Sequence, residues 1–436
     1  MRKRILLIGG NFFPELTGIG KYNGEMIQWF ASKGYECTVI ATSPYYPQWK
    51  VQQPYSNKWY SRETIPTSGK PIEVYRCPHY VPSRPSGSKR LLSEMTFTIS
   101  SLFALVRVLS GQSFDYVITV APPFQLGFHA LLYKTFHKAK FLYHIQDLQI
   151  EAARDLNMIK SKKLVDLLFL LEKRVLKKSD MVSSISGGML KKIKDKIGRD
   201  VTLFPNWVDT EFFHPLKEKE DIKESFGFSP SQKIILYSGA IGEKQGLEMI
   251  LSTAKALEQE SELQFVICGS GPYKERLHQM AIDQGLANVH FLPLQSHKRF
   301  NEFLNMADVH LVIQKASAGD LVMPSKLSTI LAVGGLAVVT AAPGTSLYET
   351  VHNHGIGLVV EPESPEMFTA AVLNAVRSDG SLLCSRARRY AEDALSRDQI
   401  LTRYAEQMEQ LHEPGVKKKK RFTRRFSVSD TIPESL

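Results

Sequence analysis

The feature that most limits how this 436-residue chain can fold is a unit repeated along it: a short apolar strand pattern, a glycine turn, then a helix pattern. Its clearest copy is Lys233–Leu247, KIILYSGAIGEKQGL. Ile234–Tyr237 is apolar throughout, as a strand buried on both faces of a parallel sheet must be, and the run stops at Ser238-Gly239. A helix pattern opens just after Gly246. In open α/β sheets ligands sit at the carboxyl ends of strands, and a helix amino terminus offers unpaired N–H groups to an anion. Gly239, Gly242 and Gly246 let the backbone approach a phosphate, while Lys244, beside Gln245, adds a full charge. The stretch reads as a diphosphate cradle.

The same unit organises the rest. In the first half, strand patterns fall at Arg4–Gly10, Cys37–Thr42, Tyr116–Val120, Phe141–His144, Met181–Ser184 and Val201–Phe204. A second glycine loop, with Gly18 and Gly20, follows the first strand and precedes a helix at Tyr22–Ser32. In the second half strands fall at Ile234–Ser238, Gln264–Cys268, Val289–Phe291, Val309–Ile313, Leu336–Thr340 and Gly357–Val360, with helix patterns between them. Such alternation predicts an α/β fold with a doubly wound, parallel, Rossmann-like sheet in each half, the two facing across a cleft. The charged, aperiodic segment Phe212–Ser225 separates them. The expected division is 1–210 for one Rossmann-like domain, 211–385 for a second, 386–412 for a helix crossing back, and 413–436 for a basic tail expected to be disordered.

Charge narrows the partners. Of the net +11, seven charges lie in KKKKRFTRRF at 417–426, leaving a balance of +4 for the rest. A basic block with interleaved Phe422 and Phe426 suits an anionic membrane surface or a solvated tail. Nucleic acid is not expected as a partner, since the chain lacks zinc-finger and RNP-type patterns. The helix pattern Lys89–Gly111 has only Arg107 charged between Met95 and Leu109, yet is short for a bilayer span; it reads either as an interfacial helix or as one buried against the sheet. Four scattered cysteines, without a CxxC pair, argue against a zinc site or a disulfide framework. The apolar run Ile5–Ile8 is too short for a signal peptide, so a reducing, cytoplasmic location is expected.

Other loops carry candidate chemistry. Tyr45, Tyr46 and Trp49 lie in an aromatic, proline-rich loop suited to a sugar or lipid head group, or simply stapled by its own rings. His144 and Asp147 fall at a strand end facing the expected crevice. Gly271 lies in a GSGP turn, and Pro324-Ser325-Lys326 starts a helix that offers a hydroxyl, amides and a cation to a phosphate, with Asp320 placed for a sugar hydroxyl. The Ser325-Lys326 pair lacks SxxK spacing and the sequence has no GxSxG elbow, which counts against a hydrolase.

Taken together and in order, GGNFFPELTGIGKY, PYYPQW, HIQD, FPNW, YSGAIGEKQGLE and MPSKL resemble the family 4 retaining glycosyltransferases of GT-B fold, over roughly residues 1–410. The resemblance is to a subgroup that builds exopolysaccharide repeat units on a polyprenyl-diphosphate carrier. It implies transfer from a nucleotide-sugar donor bound by domain 211–385, GDP-fucose first and a UDP-amino sugar next, to a lipid-linked saccharide on the acceptor side, 1–210, at the cytoplasmic membrane surface, without metal or cofactor. By position it implies that Gly18 and Gly20 approach the donor phosphates, that His144 contacts the transferred sugar, and that Lys244 or Gln245 meets the diphosphate. Two departures stand out: Ala240 replaces the family's arginine, and its paired glutamates are absent, with Asp320 or Leu321 near the first and Thr329 at the second. Diphosphate binding then falls to Lys244 and Lys326. These losses keep open a non-catalytic, membrane-docked subunit of a polysaccharide assembly complex. A sugar-nucleotide epimerase is the other alternative.

Overall fold

The computed structural model describes residues 3–412, apart from residues 16, 112, 156–158, 160 and 317–323. The expected basic tail and Asp320 lie outside that range. The first sheet contains β1 (Arg4–Ile8), β2 (Glu36–Thr42), β3 (Ser61–Ile65), β4 (Ile72–Cys77), β5 (Tyr116–Ala121), β6 (Lys140–Ile145), β7 (Met181–Ser184) and β8 (Thr202–Leu203), in the order β3-β4-β2-β1-β5-β6-β7-β8. All its pairings are parallel except β3 with β4. The second sheet contains β9 (Lys233–Ser238), β10 (Leu263–Cys268), β11 (Val289–Leu292), β12 (Val309–Val312), β13 (Ala337–Thr340) and β14 (Leu358–Val360), all parallel, in the order β11-β10-β9-β12-β13-β14.

Both orders reverse direction once. After β1 the chain winds outward through β2, then returns to β5 on the other side; after β9 it winds through β10 and β11, then returns to β12. The crevice at such a reversal lies beyond the carboxyl ends of the two flanking strands. The two glycine loops, which follow β1 and β9, therefore open at the two switch points.

Helices cover both faces of each sheet, so strand residues alternate between two cores. Ile5 and Leu7 join Phe30, Trp207 and Tyr404 on one side, while Leu6 and Ile8 join Phe97, Tyr133 and Leu176 on the other. The second sheet divides likewise: Ile234 and Leu236 pack on one side, Ile235 and Tyr237 on the other.

The carboxyl-terminal helical run is two helices. Helix 381–394 buries Ala387 and Ala391 in the second lobe's core, and helix 397–410 buries Ile400, Leu401, Tyr404 and Met408 in the first lobe's. The crossing lies between them, so Arg386–Ala394 stay with the second lobe, unlike the expected division at 386. There the chain runs beside the first crossing: Val208 N–H donates to Leu395 O (2.9 Å) and Arg397 N–H to Val208 O (3.1 Å). Arg397 Nη1 pairs with Asp209 at 2.8 Å. Trp207 Nε1 donates to Glu25 (2.6 Å) and Trp29 Nε1 to Asp398 (2.6 Å), tying both crossings to helix 18–32.

Candidate functional site

In the second lobe the turn after β9 is zipped to the turn after β10. Gly239 N–H donates to Cys268 O and Ile241 N–H to Ser270 O, both at 2.9 Å. The approach is so close that a Cβ on Gly269 would stand 1.9 Å from Gly239 O, and one on Gly271 2.0 Å from Ile241 O. Gly271 is thus accounted for by loop-on-loop packing. Gly242 leads into a single 3₁₀ turn, Glu243–Gln245, which Gly246 closes in the left-handed region (φ +69°). A Cβ on Gly242 would come 3.0 Å from Gln245 Oε1, and one on Gly246 3.2 Å from Lys315 Cγ. Lys315 therefore passes directly beside this turn. The side chain of Lys244 lies outside the described residues, as does Asp320.

Lys326 is the most informative group here. It lies in the first turn of helix 325–332, and its Nζ is buried with no hydrogen-bond partner among the described residues. The ammonium sits 3.8 Å from the centroid of the Tyr237 ring and 3.2 Å from where a Cβ of Gly239 would be. Tyr237 is itself fixed by its hydroxyl donating to Ala240 O at 2.6 Å. Burial lowers the Lys326 pKa from 10.5 to about 7. An ammonium with donors but no acceptor among the described residues, beside a glycine turn at a switch point, fits an anion as its partner. Ser325 is exposed at the helix start, and Thr329 Oγ1 is used within the helix, donating to Lys326 O at 2.9 Å.

In the first lobe the glycine loop and the aromatic loop form one unit around Glu15. This buried carboxylate accepts from the N–H groups of Tyr45 and Tyr46 and from Asn11 Nδ2, each at 2.8 Å, while burial raises its pKa. A Cβ on Gly20 would stand 2.5 Å from Glu15 Oε2. Gly18 begins helix 18–32 at φ +58°, with Tyr46 Cε1 3.4 Å from its ideal Cβ. Tyr45 stacks edgewise on Trp49 (5.4 Å) and His79 (4.7 Å), so the loop is indeed stapled by its own rings. Arg90 covers the Trp49 ring at 5.1 Å. Nearby, Gln149 bridges Glu94 and the N–H of Phe124. Burial, with Asp147 adding to it, pushes the Glu94 pKa up to about 7.

His144 lies apart from this surface. Its ring is buried, Nδ1 is 3.0 Å from Ser183 Oγ, and Phe204 packs edgewise at 5.0 Å. Burial lowers its pKa to about 3. The expectation that it faces the crevice is corrected: strand alternation turns position 144 into the core with Leu142, and the half-exposed residues beyond the strand end are Gln146 and Asp147. Sequence reasoning also missed Glu15, Tyr237 and Glu94. Glu94 had a signal, being the one acidic residue of the helix pattern 87–109.

Residues 17–207 match the family described as "Glycosyl transferase 4-like domain", and residues 218–394 that described as "Glycosyl transferases group 1". The chain is 40% identical over 412 residues to WcaI of Escherichia coli (strain K12), named as a colanic acid biosynthesis glycosyl transferase, covering 92% of this chain and 98% of that protein. Its fold is similar to that of sucrose-phosphate synthase from Thermosynechococcus elongatus (TM-score 0.71, 14% identity, 94% of this chain and 99% of that one). It is also similar to Anabaena HepE solved in complex with UDP-glucose (TM-score 0.63, 11% identity, 93% and 99%). The two-lobed arrangement of parallel sheets is thus the GT-B fold.

Proposed function

Because the chain belongs to the group 1 and 4-like glycosyltransferase family, we propose that it moves a hexose from a nucleotide donor to a lipid-linked saccharide in exopolysaccharide repeat-unit synthesis, with retention of configuration. The observation that carries the donor half of this reading is the buried ammonium of Lys326, without a hydrogen-bond partner among the described residues, beside the Gly239 turn. The name of the E. coli relative supports the exopolysaccharide, and GDP-fucose is the donor proposed first. The protein works at the cytoplasmic face of the membrane, where such acceptors reside.

The chemistry follows from charge. As the anomeric C–O bond breaks, its electron pair moves to the leaving diphosphate and the sugar ring becomes cationic, so fixed positive charge at the phosphates lowers the barrier. Lys326, beside the turn after β9, supplies it, and Lys315, whose stem passes against the Gly246 turn, is a second candidate cation. Attack from the face the diphosphate leaves lets a phosphate oxygen take the acceptor hydroxyl's proton while the new C–O bond forms, so no protein base is needed. The Tyr45–Trp49 loop, locked through Glu15 to the first glycine loop, would hold the acceptor's sugars.

The test is a transfer assay with radiolabelled GDP-fucose or UDP-sugars and a membrane extract carrying lipid-linked saccharides. Label moved into the lipid fraction by wild type but not by Lys326→Ala supports the reading. Absence of transfer from every nucleotide sugar, by protein that binds none of them, favours the non-catalytic subunit.

A further inference from the structure

Helix 87–109 has two apolar faces of different fate. Phe97, Ala104, Leu105 and Val108 enter the first lobe's core, so the helix is held flat along the protein and cannot cross a bilayer. On the opposite side Leu92, Met95, Ile99, Phe103 and Val106 form a stripe at helical spacing, and Phe103 is 65% exposed. At 1.5 Å per residue that stripe is about 21 Å long.

The stripe is part of a wider surface. Helix 126–136 packs beside helix 87–109, with His129 Nε2 3.2 Å from Ser101 Oγ, and helix 162–178 packs on its other flank, Val175 lying against Gly127. All three send inward residues into the same core cluster, so they form one layer. Outward, helix 126–136 exposes Phe136 (68%), and helix 162–178 exposes Leu164, Leu167 and Leu170. Exposed bases rim these residues: Lys89, Arg90 and Arg107 on the first helix, and Lys162, Lys163, Lys173, Arg174, Lys177 and Lys178 on the third. The third helix carries only two acids, one of which, Glu172, is buried against Lys196.

We infer that the layer formed by helices 87–109, 126–136 and 162–178 docks flat on an anionic lipid bilayer, its apolar stripes entering the head-group boundary and its basic rim meeting lipid phosphates. Several bulky apolar side chains ringed by Lys and Arg match that boundary, whereas a second copy of the chain would set base against base. The surface leads directly to the proposed acceptor side, since Arg90, on the helix that carries the stripe, covers Trp49. A lipid-borne acceptor would therefore approach along it. The inference rests on the glycosyltransferase reading only for that last step.

The test is flotation of the full chain with vesicles of phosphatidylglycerol and phosphatidylcholine, against vesicles of phosphatidylcholine alone. Wild type should float with the anionic vesicles. The double variant Ile99→Ser/Phe103→Ser, with an unchanged melting profile and unchanged nucleotide binding, should lose about ten-fold or more in partitioning. A full-length variant with Lys417, Lys418, Lys419 and Lys420 changed to Gln should keep most of it. Wild-type behaviour of the double variant would overturn the inference and assign binding to the tail. So would failure of wild type to float, or a concentration-dependent dimer that Phe103→Ser abolishes. Since flotation needs no donor, it stands or falls independently of the transfer assay.

Discussion

Nucleotide binding should take up a proton, and Lys326 should be the group that takes it. Burial lowers this lysine from 10.5 to about 7, a penalty on the charged form of roughly 5 kcal/mol at about 1.4 kcal/mol per pH unit. A diphosphate placed against Nζ removes most of that penalty, so in the complex the lysine is charged well above pH 7. Free protein at pH 8.5 then holds the neutral amine and binds close to one proton with the nucleotide. At pH 6 the lysine is already charged and contributes none. The lysine's own contribution to affinity should accordingly be flat below about pH 7 and weaken by up to about ten-fold per unit above it. The assay is calorimetry of GDP or UDP binding at pH 8.5, where the ligand is fully ionised, in buffers of different ionisation enthalpy. Lys326→Met should bind weakly and with no proton uptake at this pH. Equal uptake by wild type and Lys326→Met, or none by wild type, would refute the reasoning.

Three further outcomes follow from the packing. Gly269→Ala puts a Cβ 1.9 Å from a backbone oxygen and should destabilise the second lobe by about 3 kcal/mol in chemical denaturation, with nucleotide affinity falling in parallel. His144, whose folded pKa of about 3 lies below its ordinary 6.5, binds a proton on unfolding within that window. Its share of stability is therefore lost as pH falls from about 6.5 towards 3, and His144→Gln should flatten that part of the urea-midpoint profile. Glu15→Ala strands the N–H groups of Tyr45 and Tyr46, and should cost about 2 kcal/mol and raise the acceptor KM more than it lowers donor affinity, read by steady-state kinetics.

What could be read from the sequence tracks where the physics is local. Strands such as Ile234–Tyr237 are buried on both faces, so burial alone makes them continuous apolar runs, and those runs were visible. β3 and β4 were missed because SRETI lies at an edge and IEVYRC alternates polar with apolar residues, giving no such run. The break at Leu395–Arg397 was missed because both flanking helices keep helical spacing, and only the backbone pairing with Val208 separates them. Helix 87–109 resisted a choice between interfacial and buried because it is apolar on both sides, one facing core and one facing outward. In the site, glycine turns and Lys326 were legible from strand-turn-helix order. Glu15 was not, since the contacts that tie it to the aromatic loop are the backbone amides of Tyr45 and Tyr46, about thirty residues away. His144 was misread because residue type cannot tell which side of a strand's last residues faces a cleft.

The measurement that tests the central claim most directly is a thermal-shift panel of GDP, UDP, GDP-fucose and UDP-sugars against the full-length protein and Lys326→Met. A ligand that binds only the folded state raises its apparent stability with occupancy. The account predicts an upward shift with one nucleotide class, sharply reduced in the variant. No shift with any nucleotide, for well-folded wild-type protein, would contradict it.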